Sequence, residues 1–288
     1  MAQTSSPLVD AASLAAQIAT GKPPVIFDCR FDVAKPGWGR EQYAASHVPG
    51  AFYADIDTDL SSPKTPSSGR HPLPHLVAFA GWLGAHGVTP STPVVAYDQG
   101  SGAYAARLWW LLRAIGHLES FVLDGGFAAW IAAKNATTDE RRRATVVDYG
   151  QPTSFAGGAT TGDVALGLLH ANIVLVDARA ADRYAGNNET IDPVAGHVPG
   201  ALSKPFMTNM GPDGKFLAPT ALREQWTAVL KGRDPGELVA MCGSGVTACH
   251  NLLALDIAGL PGARLYAGSW SEWIRDPSRA VATGESPK

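Results

Sequence analysis

The sequence predicts an α/β protein of two tandem copies of one domain, each a mostly parallel sheet flanked by helices. Three observations predict it. Four motifs recur in the same order about 145 residues apart, too long a period for a solenoid and the right one for a duplicated domain. Within each copy, short apolar β-branched runs alternate with helical patterns. The chain has 288 residues, enough for two cores at roughly 100–200 residues per domain.

In the first copy, an apolar strand at 25–27 runs into Asp28-Cys29-Arg30, followed by His47-Val48-Pro49-Gly50-Ala51. A strand at 94–96 leads to Asp98, a helix covers 103–115, a strand follows at 121–123, and GGFAAW closes the copy at 125–130. The second copy repeats this with a strand at 173–176, Asp177-Ala178-Arg179 and His197-Val198-Pro199-Gly200-Ala201. A helix at 221–230, a strand at 238–240, a helix at 246–258, a strand at 264–266 and GSWSEW at 268–273 complete it. Strands alternating with helices imply a parallel sheet covered on both faces, with ligands beyond the carboxyl ends of its strands. The reading divides the chain into an N-terminal domain at 1–134, a linker at 135–162 and a C-terminal domain at 163–288. The linker holds Arg141-Arg142-Arg143 and Gly157-Gly158 and wraps one domain onto the other. A loop at 61–74, rich in Ser, Pro and Gly, is long for a mere connection and points to function.

Composition excludes several classes. Lys plus Arg (23) nearly balance Asp plus Glu (26), so no basic footprint for nucleic acid or polybasic membrane patch is expected. No run of 18 apolar residues suggests a membrane span. Residues 1–10 lack a basic segment followed by an apolar one, so they do not read as a secretory signal. Three cysteines form no disulfide framework and fit a reducing compartment, so a cytoplasmic location is expected. No Cys/His spacing suggests a metal site, and no cofactor is expected.

The chemistry is concentrated after the strand at 238–240. Cys242-Gly243-Ser244-Gly245-Val246-Thr247-Ala248 joins that strand to a helix. A strand–tight loop–helix unit aims several backbone N–H groups and a helix dipole at one point, conditions that favour a thiolate. Gly243 and Gly245 let the loop curl, and Ser244 and Thr247 offer hydroxyls to the sulfur or to an anion. The first copy is an internal control: Asp98-Gln99-Gly100-Ser101-Gly102-Ala103 keeps the loop but replaces the nucleophile with a carboxylate, which cannot accept sulfur. The second copy therefore reads as catalytic, with the active site expected where the copies meet. Asp28/Arg30, Asp177/Arg179, His47 and His197 occur in both copies and read as scaffold. His71 and Arg183 occur in one copy and read as functional; a carboxylate donor needs a cation with fork geometry. Cys29 and Cys249 read as buried or inert.

These motifs resemble the tandem-domain rhodanese and 3-mercaptopyruvate sulfurtransferase family over nearly the whole chain. The uncharged loop at 242–248 is similar to the mercaptopyruvate branch, whereas the thiosulfate branch usually carries basic residues right after the Cys. The resemblance implies that Cys242 carries sulfur as a persulfide. It implies that Gly243, Ser244, Gly245, Val246 and Thr247 line the substrate site, that Ser244, His71 and Asp57 handle protons, and that Arg183 clamps the donor carboxylate. It also implies a small-molecule sulfur donor and an acceptor that is cyanide, a low-molecular-weight thiol or a thioredoxin-like protein. The mercaptopyruvate branch has a second Arg a little downstream of the first, but here the stretch 187–194 contains no basic residue. Thiosulfate therefore stands as the alternative donor. Two remoter alternatives are a cysteine phosphatase, whose loop would need an Arg where Ala248 stands, and a sulfur carrier without turnover.

Overall fold

A computed structural model of the chain describes residues 6–287. Residues 1–5, half of the stretch read for a leader, lie outside the described residues. The chain forms two compact units. The first comprises Met1–Ser61, Pro74–Ala156 and Gly211–Phe216; the second comprises Ser62–Leu73, Gly157–Met210 and Leu217–Lys288. Most of the loop at 61–74 thus belongs to the second unit.

The first unit is built on β1 (Leu8–Val9), β2 (Val25–Asp28), β3 (Ala51–Tyr53), β4 (Val94–Tyr97) and β5 (Ser120–Leu123), in the order β1-β5-β4-β2-β3 with every pairing parallel. Its helices are α1 (Ala11–Ala19), α2 (Trp38–Ala45), α3 (Leu76–Ala85), α4 (Ala105–Ala114) and α5 (Gly126–Ala132). The second unit repeats the plan with β6 (Gly158–Ala159), β7 (Val174–Asp177), β8 (Leu202–Ser203), β9 (Leu238–Met241) and β10 (Arg264–Tyr266), in the order β6-β10-β9-β7-β8, again all parallel. Its helices are α6 (Thr161–Leu169), α7 (Ala181–Ala185), α8 (Pro219–Leu230), α9 (Thr247–Ile257) and α10 (Ser269–Trp273). The stretch 135–162 is not linker throughout: its last residues supply β6 and the start of α6.

The central strands β2, β4, β7 and β9 are buried at every residue, as strands covered on both faces must be. On one face of the first sheet, Leu14 of α1 and Trp130 of α5 pack with Ile26, Val95 and Leu123. The second sheet matches this with Val164, Trp270 and Trp273 against Leu175, Val239 and Tyr266. Helices α4 and α9 are buried almost all round, so neither shows a clear polar stripe. Among the described residues no helix is long and apolar enough to cross a membrane.

In the second sheet β8 lies on one side of β7 and β9 on the other. The carboxyl ends of β7 and β9 therefore flank the point where strand order reverses, the place an open parallel sheet offers to a ligand. β7 ends in Asp177 and leads to Arg179; β9 leads directly to Cys242.

Candidate active site

Cys242 is recessed, at 2% exposure, and two backbone amides converge on its sulfur: Gly245 N–H donates to Sγ at 3.1 Å and Ser244 N–H at 3.5 Å. The turn needs Gly245, whose φ is +75°; a Cβ there would lie 2.4 Å from Ala267 O. The carbonyls of Cys242 and Gly243 accept from the N–H groups of Trp270 and Ser271 at 3.0 and 2.9 Å, so the loop is held from both sides. The amide of Cys242 itself donates to Ser269 Oγ at 3.1 Å, and Ser269 Oγ–H donates to Tyr266 O at 2.8 Å. Ser269 has φ +53°, a left-handed conformation that these bonds help to hold. Val246 caps α9 and Thr247 opens it, directly after the loop.

The segment 62–73 brings His71 to this loop. His71 is 4% exposed, and its Nδ1 shares a 2.7 Å hydrogen bond with Ser244 Oγ. The segment is anchored by Arg70 N–H, which donates to Ser271 Oγ at 2.9 Å, and by Gly69, where a Cβ would lie 2.5 Å from Gly268 O. Arg183, on the short helix α7, reaches the same loop: a Cβ built on Gly243 would lie 3.7 Å from Arg183 Nη2 and 3.8 Å from Nη1. The same Cβ would lie 2.9 Å from Arg70 Nη2, so two guanidinium groups lie beside the residue next to the nucleophile.

These cations stand in an alternating series. Asp177 pairs with Arg179 at 2.7 Å, Arg179 with Glu189 at 3.4 Å, Glu189 with Arg183 at 2.8 Å, Arg183 with Asp192 at 3.3 Å, and Asp192 with Arg70. Burial pushes the Glu189 carboxyl up, but Arg183 and the amides of Asp192 and Ile191 more than offset it, so its pKa falls below the ordinary value. Burial pulls the Arg179 pKa down, yet Asp177, Glu189 and the nearby Cys242 sulfur raise it overall.

The structure thus brings Cys242, Gly243, Ser244, Gly245, His71 and Arg183 together within the second unit. Asp57 belongs to the first unit, where it is exposed and its N–H donates to Asp55 Oδ1 at 3.0 Å. Cys29 and Cys249 are buried; burial, followed by the charges of Asp28, Asp98 and Asp59, raises the Cys29 pKa well above the usual thiol value, and Cys249 Sγ donates to Gly245 O. His47 and His197 play matching parts, stacked on Tyr43 and Tyr184 with Nδ1 against the carbonyl of the same residue. Sequence reasoning missed Ser269 and Arg70. Ser269 stands where the first copy has Gly126, at nearly the same positive φ (+53° against +55°), a substitution visible when GGFAAW and GSWSEW are aligned. Arg70 adjoins His71 in a loop already marked by its length.

A family model described as the rhodanese-like domain matches the chain twice, at residues 10–133 and 161–276. The chain belongs to the rhodanese-like family. Of this rhodanese-like chain, 98% aligns with all of a probable 3-mercaptopyruvate sulfurtransferase of Pseudomonas aeruginosa at 48% identity. It is 36% identical to a putative thiosulfate sulfurtransferase of Mycobacterium tuberculosis over 96% of this chain and 97% of that one. Among solved structures, a 3-mercaptopyruvate sulfurtransferase from Leishmania major superposes with a TM-score of 0.82 at 33% identity, covering 94% of this chain and 75% of that one.

Proposed function

We propose that this protein is a sulfurtransferase that takes sulfur from 3-mercaptopyruvate as a persulfide on Cys242 and passes it to a thiol or cyanide. The observation that carries the reading is the pair of amides aimed at Cys242 Sγ, with guanidinium groups over Gly243 beside it. The Cys242 thiolate attacks the donor sulfur. The carbon–sulfur bond breaks, its electron pair stays on carbon as the pyruvate enolate, and the transferred SH group remains on Cys242. A proton then converts the enolate to pyruvate. The hydrogen-bonded Ser244 and His71 suit that delivery. An acceptor thiolate attacks the outer sulfur and leaves as its own persulfide, which restores the Cys242 thiolate.

The duplicate loop supports the persulfide. In the first unit the Asp98 carboxylate fills the equivalent cradle with two oxygens. Oδ1 accepts from Gly100 and Gly102 N–H at 2.9 Å each, and Oδ2 from Tyr104 and Ala105 N–H at 2.8 and 3.4 Å. Sγ of Cys242 corresponds to one of those oxygens, and an outer sulfur takes the place of the second, facing the amides that open α9. Such donors stabilise an anion without reorganisation.

The test is steady-state kinetics with donor and acceptor both varied. Two half-reactions on one cysteine predict parallel double-reciprocal lines. The same assay with thiosulfate decides the donor: the account expects kcat/KM for 3-mercaptopyruvate to be about tenfold or more the higher. Intersecting lines contradict the persulfide route, and a preference for thiosulfate contradicts the donor.

A further inference from the structure

We propose that Arg70 is the second arm of the clamp that binds the donor's carboxylate, completing it from the segment 62–73. The inference rests on the sulfurtransferase reading above and names how its donor is selected. The stretch 187–194 contains no cation, but it contains Glu189 and Asp192, and each anchors an arginine. Glu189 takes Nε and Nη2 of Arg183 at 2.8–3.3 Å, while Asp192 takes Nη1 of Arg70. Each guanidinium therefore has one edge fixed on an acid and nitrogens left over Gly243: Nη2 of Arg70 and Nη1 of Arg183 are 2.9 and 3.8 Å from a Cβ built there.

Three further features favour Arg70 as a ligand group rather than a surface cation. Its backbone is tied to Ser271, whose own N–H holds the Gly243 carbonyl, so the arginine's root and the nucleophile's loop share one support. Its Nε is buried and has no hydrogen-bond partner, and an unfilled donor on a charged group is costly unless a ligand fills it. The alternating series from Asp177 ends in a cation, Arg70, beside Gly243. A carboxylate donor whose sulfur lies at Cys242 puts its negative end where two forks are held ready. A Cβ on Gly243 would meet Arg70 Nη2 at 2.9 Å, so a side chain there would push that fork aside.

The experiment compares wild type, Arg70→Gln and Arg70→Lys with 3-mercaptopyruvate and with its methyl ester, which keeps the sulfur chemistry and lacks the charge. Arg70→Gln is expected to lower kcat/KM for the acid about 10- to 100-fold and leave the ester within about twofold. Arg70→Lys recovers part of the loss, because charge returns without the fork. Equal losses on acid and ester, or no loss on either, overturn the inference. Pyruvate binding measured by calorimetry in the Cys242→Ser background separates this inference from the persulfide reading. Arg70→Gln should weaken pyruvate binding there about tenfold or more whatever the turnover chemistry proves to be, and unchanged affinity overturns it.

Discussion

The loops at 98–105 and 242–247 carry out one backbone design with two different side chains at its focus. Both follow a buried four-residue strand and lead into a buried helix, and both are pinned from the closing Trp motif. Phe127 and Ala128 N–H donate to Asp98 and Gln99 carbonyls at 2.8 and 3.2 Å, as Trp270 and Ser271 do to Cys242 and Gly243. The first loop has one residue more, Gln99, before the shared Gly-Ser-Gly. In it, a fully buried carboxylate uses four amides, whereas the cysteine sulfur uses two. The comparison teaches that the cradle is an anion site before it is a catalytic one. One copy fills it permanently, and the other leaves room for sulfur to come and go.

The strongest way to break this comparison is to substitute the same turn glycine in both loops. Gly245→Ala combines a positive φ with a Cβ 2.4 Å from Ala267 O, so the amide at 3.1 Å from Sγ is displaced. Turnover should fall about 100-fold or more, as for loss of one preorganised donor. Gly102→Ala has φ +77° but meets only side-chain carbons at 3.5 Å and beyond. It should cost about 1–2 kcal/mol in urea titrations and leave kcat within about twofold. Equal kinetic effects from the two substitutions would sink the idea that only the second cradle works on sulfur.

Emptying the first cradle is next in size. Asp98→Ala leaves four inward-pointing N–H groups unfilled and should lower stability by roughly 2–4 kcal/mol. Burial raises the Asp98 pKa despite those four bonds. The folded state therefore holds this proton more tightly than the unfolded one, and ionising Asp98 costs stability above its folded pKa. That cost is relieved as pH falls through the folded pKa toward the ordinary carboxylate value of about 4. Relative to Asp98→Ala, the wild type should gain stability over that descent; a relative loss would mean that the four amides outweigh burial and hold the Asp98 pKa below its ordinary value.

Ser269→Gly should have the smallest effect. Glycine relieves the left-handed backbone but removes the acceptor for Cys242 N–H, two terms of about 1 kcal/mol each with opposite sign. Unfolding midpoints should barely move while turnover falls about threefold to tenfold as the loop loosens.

Much of this architecture is legible in the sequence. The strands VIFD, VVAY, VLVD and LVAM announce themselves because burial on both faces demands unbroken apolar runs. The edge strands β1, β6 and β8 are two residues long and carry no periodicity to read. The same asymmetry governs the site. Cys242, its glycines and its helix are contiguous, and the duplicate with Asp98 marks which residue matters. Arg70 was not legible in the sequence because its partner Asp192 lies 122 residues away and is an acid, not a cation. The available signal was chemical: two carboxylates beside Arg183 must be offset by some other positive group.

The most direct test weighs the intact protein after incubation with 3-mercaptopyruvate and no acceptor. The account predicts the addition of one sulfur atom to the wild type, its removal by a thiol or cyanide, and no addition to Cys242→Ser. An unchanged wild-type mass, or a sulfur that survives the loss of Cys242, would contradict it.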